Sequence, residues 1–112
     1  MTDFIEISWT TGSIDEARKV CRYLVQEKWV ASAQIIPWME SIYSWNGQLE
    51  TTQESKVYLK SISKNFEEIK KIIIKNSSYQ VPEILYHVID GGDTEYLNWI
   101  ESSINIEERA TK

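Results

Sequence analysis

The chain has 112 residues, enough for one domain with a real core and too few for two. It is 42% hydrophobic and 26% charged, an ordinary globular balance, and its 17 acidic against 12 basic residues give a net charge of −5. That balance removes the usual electrostatic drive toward polyanions, so no nucleic-acid partner is expected, and no run of about eighteen apolar residues exists to form a transmembrane helix.

The start, Met1-Thr2-Asp3-Phe4, lacks the basic and apolar regions of a secretory signal. The single cysteine, Cys21, excludes an internal disulfide. Together they lead to an expectation of a cytoplasmic protein with no membrane association. Phe4 to Thr10 alternates, with Ile5, Ile7 and Trp9 on one face, which predicts a half-buried first strand. Ser13-Ile14-Asp15-Glu16 has capping-box spacing, with the Ser13 hydroxyl able to meet the N–H of Glu16. A helix follows toward Lys28, its apolar stripe made of Ile14, Ala17, Val20, Cys21, Leu24 and Val25.

Asn46-Gly47 is a strong hairpin signal, because a type I′ turn needs positive φ at both central residues. The flanking arms, Ala31 to Trp45 and Gln48 to Ser61, are each well over the usual five or six residues of a strand. Part of each arm must therefore project beyond its own sheet. An overhang carrying Ile35, Ile36, Trp38, Met39, Ile42 and Tyr43 exposes backbone and apolar surface unless another chain covers it, which predicts a homo-oligomer. In the second arm Val57 and Leu59 face one way, Lys56, Tyr58 and Lys60 the other.

Ser63 is positioned to cap a second helix with a buried stripe of Phe66, Ile69, Ile72 and Ile73 and an outer Glu67–Lys71 pair, ending by Asn76. Pro82 stops any helix, and Ile84 to Ile89 reads as a last strand before Gly91-Gly92. Thr94 is the expected cap of a final helix carrying Leu97, Ile100 and Ile104. The order β-α-β-β-α-β plus a helix predicts an α+β fold, an antiparallel sheet with helices on one face. Residues 1–104 form the single domain in this reading, and the polar tail 105–112 is expected to fray.

The runs Ile36-Pro37-Trp38-Met39-Glu40-Ser41-Ile42-Tyr43-Ser44-Trp45-Asn46-Gly47, Tyr79-Gln80-Val81-Pro82-Glu83 and Tyr96-Leu97-Asn98-Trp99-Ile100, with Lys56 to Lys60 between them, resemble the CutA divalent-cation tolerance family over roughly residues 4 to 104. The resemblance implies a ferredoxin-like βαββαβ domain with an added C-terminal helix, assembled as a homotrimer through its long hairpin. It also implies a role in copper or other divalent-cation tolerance.

Two departures bear on that role. Ser32 stands where relatives commonly have cysteine, and Ser77-Ser78 stand where they commonly have His-Pro. Copper and zinc favour thiolate and imidazole. Cys21 lies in an apolar stripe and reads as a small hydrophobe, and His87 shares its strand face with Leu85 and Ile89 and reads as a packed histidine. No tightly held cofactor is expected; a divalent cation, copper or zinc, would bind weakly through Glu83, Glu54 or His87.

The shared motifs leave Tyr43, Trp45, Lys60, Tyr79 and Glu83. One reading makes them trimer packing beside Trp38, Met39 and Ile42, with Lys60 paired to Glu83. The other makes them an intersubunit cleft for a small anionic or planar ligand, similar at the level of fold to the effector clefts of PII signalling proteins. No nucleophile elbow accompanies His87, so no catalysis is expected.

Overall fold

The computed structural model describes residues 3–104. The elements run β1 (Phe4–Thr11), α1 (Ile14–Gln26), β2 (Ser32–Trp45), β3 (Gln48–Ile62), a 3₁₀ turn (Ser63–Asn65), α2 (Phe66–Asn76), β4 (Glu83–Val88) and α3 (Thr94–Ser103). They build an α+β layer around one sheet of strand order β2-β3-β1-β4, antiparallel at every pairing. The expected polar tail, 105–112, lies outside the described residues. No helix among the described residues is long and apolar enough to cross a membrane.

The period-2 face of β1 sets the core. Ile5, Ile7 and Trp9, with Val57 and Leu59 across the ladder, meet Ala17, Val20 and Leu24 of α1 and Ile69 and Ile73 of α2. The indole Nε1 of Trp9 is buried there without a hydrogen-bond partner among the described residues. By the pleat, Phe4 and its partner Ile62 point away from Ile5 and Leu59. They join Ala31, Leu97, Ile100 and Ile104 in a second cluster, which puts α3 on the far side of the sheet. The expectation of all helices on one face is corrected accordingly: α1 and α2 share a face, and α3 takes the other because its stripe matches Phe4 and Ile62.

Cap chemistry follows the sequence at one helix and departs from it at two. Ser13 Oγ accepts from the Glu16 N–H at 3.2 Å, as its spacing predicts. Ser63 caps nothing, since a 3₁₀ turn intervenes and Asn65 precedes α2 with its amide donating instead to Trp29 O at 3.0 Å. Asp93, not Thr94, caps α3 by accepting from the Tyr96 N–H at 3.0 Å; a carboxylate also suits the positive end of the helix dipole. On α2 the ion pairs are Glu67–Lys70 and Glu68–Lys71, one residue closer than the expected Glu67–Lys71.

The hairpin is as long as the sequence predicts. β3 pairs with β1 only through Ser55–Ile62, so residues 39–45 and 48–54 pair with each other alone and form a two-stranded ribbon. Asn46 and Gly47 turn it with φ of 52° and 77°. At its base the register shifts between Ile36 and Met39, where Pro37 and Trp38 together face only Ser55. This β-bulge holds Trp38 at φ 64°, and Pro37, with no N–H to give, sits there at no loss to the ladder. One extra residue also resets the alternation. Beyond the bulge Met39, Ser41, Tyr43 and Trp45 occupy the face that Gln34 and Ile36 occupy before it.

Candidate functional site

Two β1 residues organise the sheet face opposite α1 and α2. Thr10 stands between Lys56 of β3 and Glu83 of β4, and Glu6 stands between Lys60 and His87. Side chains follow that register. Lys56 Nζ contacts Glu83 Oε1 at 2.6 Å, and Thr10 Oγ1 donates to the same oxygen at 2.8 Å. Lys60 Nζ instead meets Glu6 Oε2 at 2.8 Å and Gln34 Oε1 at 3.4 Å. The expected Lys60–Glu83 pair is therefore corrected to Lys56–Glu83. Lys60 is four residues farther along β3, about 13 Å away.

The Lys56 ammonium first, then the Thr10 hydroxyl, hold the Glu83 carboxyl below the usual carboxylate range. The folded state thus favours ionised Glu83, so its contribution to stability is present at neutral pH and disappears as pH falls through and below about 4. The stability gap between wild type and Glu83→Gln, measured by urea unfolding, is expected to shrink between pH 7 and pH 3. An unchanged gap would contradict the pairing.

A cavity of about 460 Å³ opens beside this pair. The bulge-reset ribbon face supplies Tyr43, Trp45, Glu50 and Glu54; β1 and β4 supply Thr10 and Glu83; the segment before β4 supplies Tyr79, Gln80 and Val81. Four of the five sequence-predicted cleft residues, Tyr43, Trp45, Tyr79 and Glu83, come together here, and Lys60 does not.

Tyr79 is the cavity's most constrained wall. Its hydroxyl donates to Glu54 Oε2 at 2.6 Å, and Glu54 is only 8% exposed. Burial first, then the bond to Glu54 and its charge, push the phenol well above its ordinary range, so it stays a neutral donor. Glu16 fixes the loop behind it, accepting from Thr11 Oγ1 at 2.6 Å and from the Ser78 N–H at 3.0 Å. A proline at 78 would have no N–H to give. Ser77 Oγ accepts from the Tyr79 N–H at 3.2 Å.

Gly12 allows Tyr79 to lie so close: a Cβ there would stand 2.6 Å from the Tyr79 hydroxyl. Gly12→Ala is expected to push Tyr79 off Glu54 and lower its phenol pKa toward the ordinary value, read by ultraviolet titration of tyrosine. A titration curve superimposable on wild type would show that the ring does not depend on Gly12.

The weak metal candidates do not assemble. Glu83 is neutralised by Lys56, Glu54 holds Tyr79, and His87, four residues from Glu83, is about 13 Å away. His87 is also exposed, which corrects its expected packed setting: its face of β4 lies bare beside Glu6. No group of three His, Cys, Asp or Glu that could hold a metal exists among the described residues. Cys21 is buried, which pushes its thiol up to about 11 and leaves it a protonated core residue. Within one chain, the residues present do not fit a tight copper or zinc site. The expected packing residues Trp38 and Ile42 are 68% and 63% exposed, while Met39 is half-buried.

The family described as CutA1 divalent ion tolerance protein matches residues 5–103. The chain belongs to that family. The divalent-cation tolerance protein CutA of Thermus thermophilus is 33% identical over 94 residues, covering 84% of this chain and 91% of the relative. The chloroplastic protein CutA of Arabidopsis thaliana is 31% identical over 84% of this chain, which spans about half, 52%, of that longer protein. The crystal structure of CutA from Xylella fastidiosa superposes with a TM-score of 0.88 at 30% identity, covering 92% of this chain and 99% of that one. The family and its Thermus thermophilus member are named for divalent-cation tolerance, not for a catalysed reaction.

Sequence reasoning missed Lys56, Thr10, Gly12, Glu16 and Glu50. Alternation already placed Lys56 beside Lys60, but only the β1 register says which of the two meets Glu83.

Proposed function

We propose that this CutA-family chain acts in tolerance to divalent cations as a homotrimer of ferredoxin-like domains, by binding and without catalysis. The observation that carries the reading is the ribbon of residues 39–45 and 48–54, which leaves the sheet with Trp38, Ile42 and Leu49 between 63% and 79% exposed. Apolar surface on a two-stranded ribbon with open edges needs a covering partner, and further copies of the chain supply one. The single unpaired thiol suits the cytoplasm, where we place the assembly. Any copper or zinc it takes is held weakly, through carboxylates, since a tight site lacks ligands among the described residues of one protomer.

Deleting the chain from its own organism is expected to lower tolerance to copper, with wild type restoring it and Trp38→Arg failing to do so. Unchanged copper, zinc and cobalt tolerance on deletion would overturn this reading.

A second reading is favoured by the cavity: about 460 Å³, walled by three aromatic side chains, falls in the size range of small-ligand sites. In that reading the assembly is a PII-like sensor whose clefts take a small molecule.

A further inference from the structure

We infer that the cleft beside Tyr79 takes an organic cation with a flat or N-methylated head, seated on the rings of Tyr43, Trp45 and Tyr79 and held by Glu50 and Glu54. The inference rests on reading that cleft as a ligand site, and it reverses the ligand charge expected from the sequence, where Lys60 was to supply a cation for an anionic guest.

Charge is the first argument. The lining contains three carboxylates, Glu50, Glu54 and Glu83, and no Lys, Arg or His. Lys56 neutralises Glu83. Glu50 and Glu54 have no ion pair among the described residues. Glu54 is more than nine-tenths buried, and its one donor among the described residues is the Tyr79 hydroxyl on Oε2. Glu54 is thus met by one neutral donor, and Glu50, four residues away along β3, by no cation among the described residues. A cationic guest supplies the missing countercharge.

The walls select the kind of cation. Aromatic faces carry negative potential and attract ammonium and guanidinium groups, most strongly where water is excluded. Thr52 Oγ1 lies 3.2 Å from the Tyr43 hydroxyl and Glu54 fixes the Tyr79 hydroxyl, so two of the three rings are positioned before any ligand arrives. A bare metal ion would use none of this surface, and the carboxylates do not converge on a point as metal ligands must. A guest that spreads its charge over several ångströms matches both the rings and the spaced carboxylates.

The test titrates the assembled full-length protein by calorimetry with phenyltrimethylammonium chloride, benzenesulfonate of the same shape, and zinc chloride alone. Phenyltrimethylammonium is expected to saturate one site per chain, with benzenesulfonate on the order of ten-fold weaker or undetectable. Glu50→Gln and Trp45→Leu, both at exposed ribbon positions, are expected each to weaken phenyltrimethylammonium several-fold, with the melting and subunit count of Glu50→Gln at wild-type values. Because the two variants act through different groups, loss of folding in one leaves the other to decide.

Benzenesulfonate binding as tightly as phenyltrimethylammonium would overturn the cation assignment and leave the cleft a ligand site. Zinc binding that excludes phenyltrimethylammonium would overturn it in favour of a metal. No heat with any of the three would sink the ligand-site reading itself, as would a neighbouring copy's side chain already filling the cleft.

Discussion

Trp38→Arg and Tyr43→Asp are each expected to break the assembly into single chains. Trp38 is held at positive φ on a bulge at the root of the ribbon, where the residue is 68% exposed in an isolated chain. A non-glycine residue in that region costs on the order of 1 kcal/mol or more, a strain that persists where the surroundings make use of it. The use proposed here is a ring delivered to a neighbouring subunit. Tyr43 stands on the ribbon face opposite Ile42, so the two substitutions probe both sides of the same strand pair. Placing an unpaired charge in either contact costs several kcal/mol, enough to shift a trimer to free chains at micromolar concentration. Sedimentation velocity decides the matter: arginine and aspartate variants that run as wild type, with unchanged melting, would show that the ribbon is not the subunit contact.

Trp9 gives the largest expected effect within a single chain, and its sign depends on the replacement. The residue is fully buried between the central strand and the helices, so Trp9→Ala removes most of a core side chain and is expected to cost about 3–5 kcal/mol of folding stability. Trp9→Phe removes less volume and also removes the buried, unpartnered N–H, whose desolvation costs about 1–3 kcal/mol. These opposing terms predict a phenylalanine variant within about 1.5 kcal/mol of wild type. Urea denaturation of the two variants checks this. A phenylalanine variant as unstable as the alanine one would mean that the indole N–H has a partner the geometry does not give it.

Strand periods, the Asn46-Gly47 turn and the Ser13 cap were legible in the sequence because each is local: alternation, positive φ and one hydroxyl at fixed offset decide them. The length of the hairpin was legible for the same reason. The candidate site was legible as a set of residues more than as an arrangement. Tyr43, Trp45, Tyr79 and Glu83 do share a cavity, but the lysine at its edge is Lys56, and that depends on how β1 aligns with β3 and β4, which no local pattern encodes. The bulge at Pro37-Trp38 is the other hidden step. Without it, strict alternation would put Tyr43 and Trp45 on the face opposite Ile36 and away from Glu83; one inserted residue brings them back.

Smaller misses have the same origin. Asp93 displaced Thr94 as cap because a carboxylate one residue earlier reaches the Tyr96 N–H, and Glu16, expected only as part of a capping box, ties the end of β1 to Ser78 across 62 residues of sequence. Such contacts are set by tertiary placement, and composition offers no warning of them.

In the proposed assembly, copies of the chain cover one another's ribbons. Sedimentation equilibrium of the full chain at micromolar concentration tests this most directly: the predicted mass is three times that of one chain, independent of loading concentration. A mass equal to one chain at every loading concentration would contradict it.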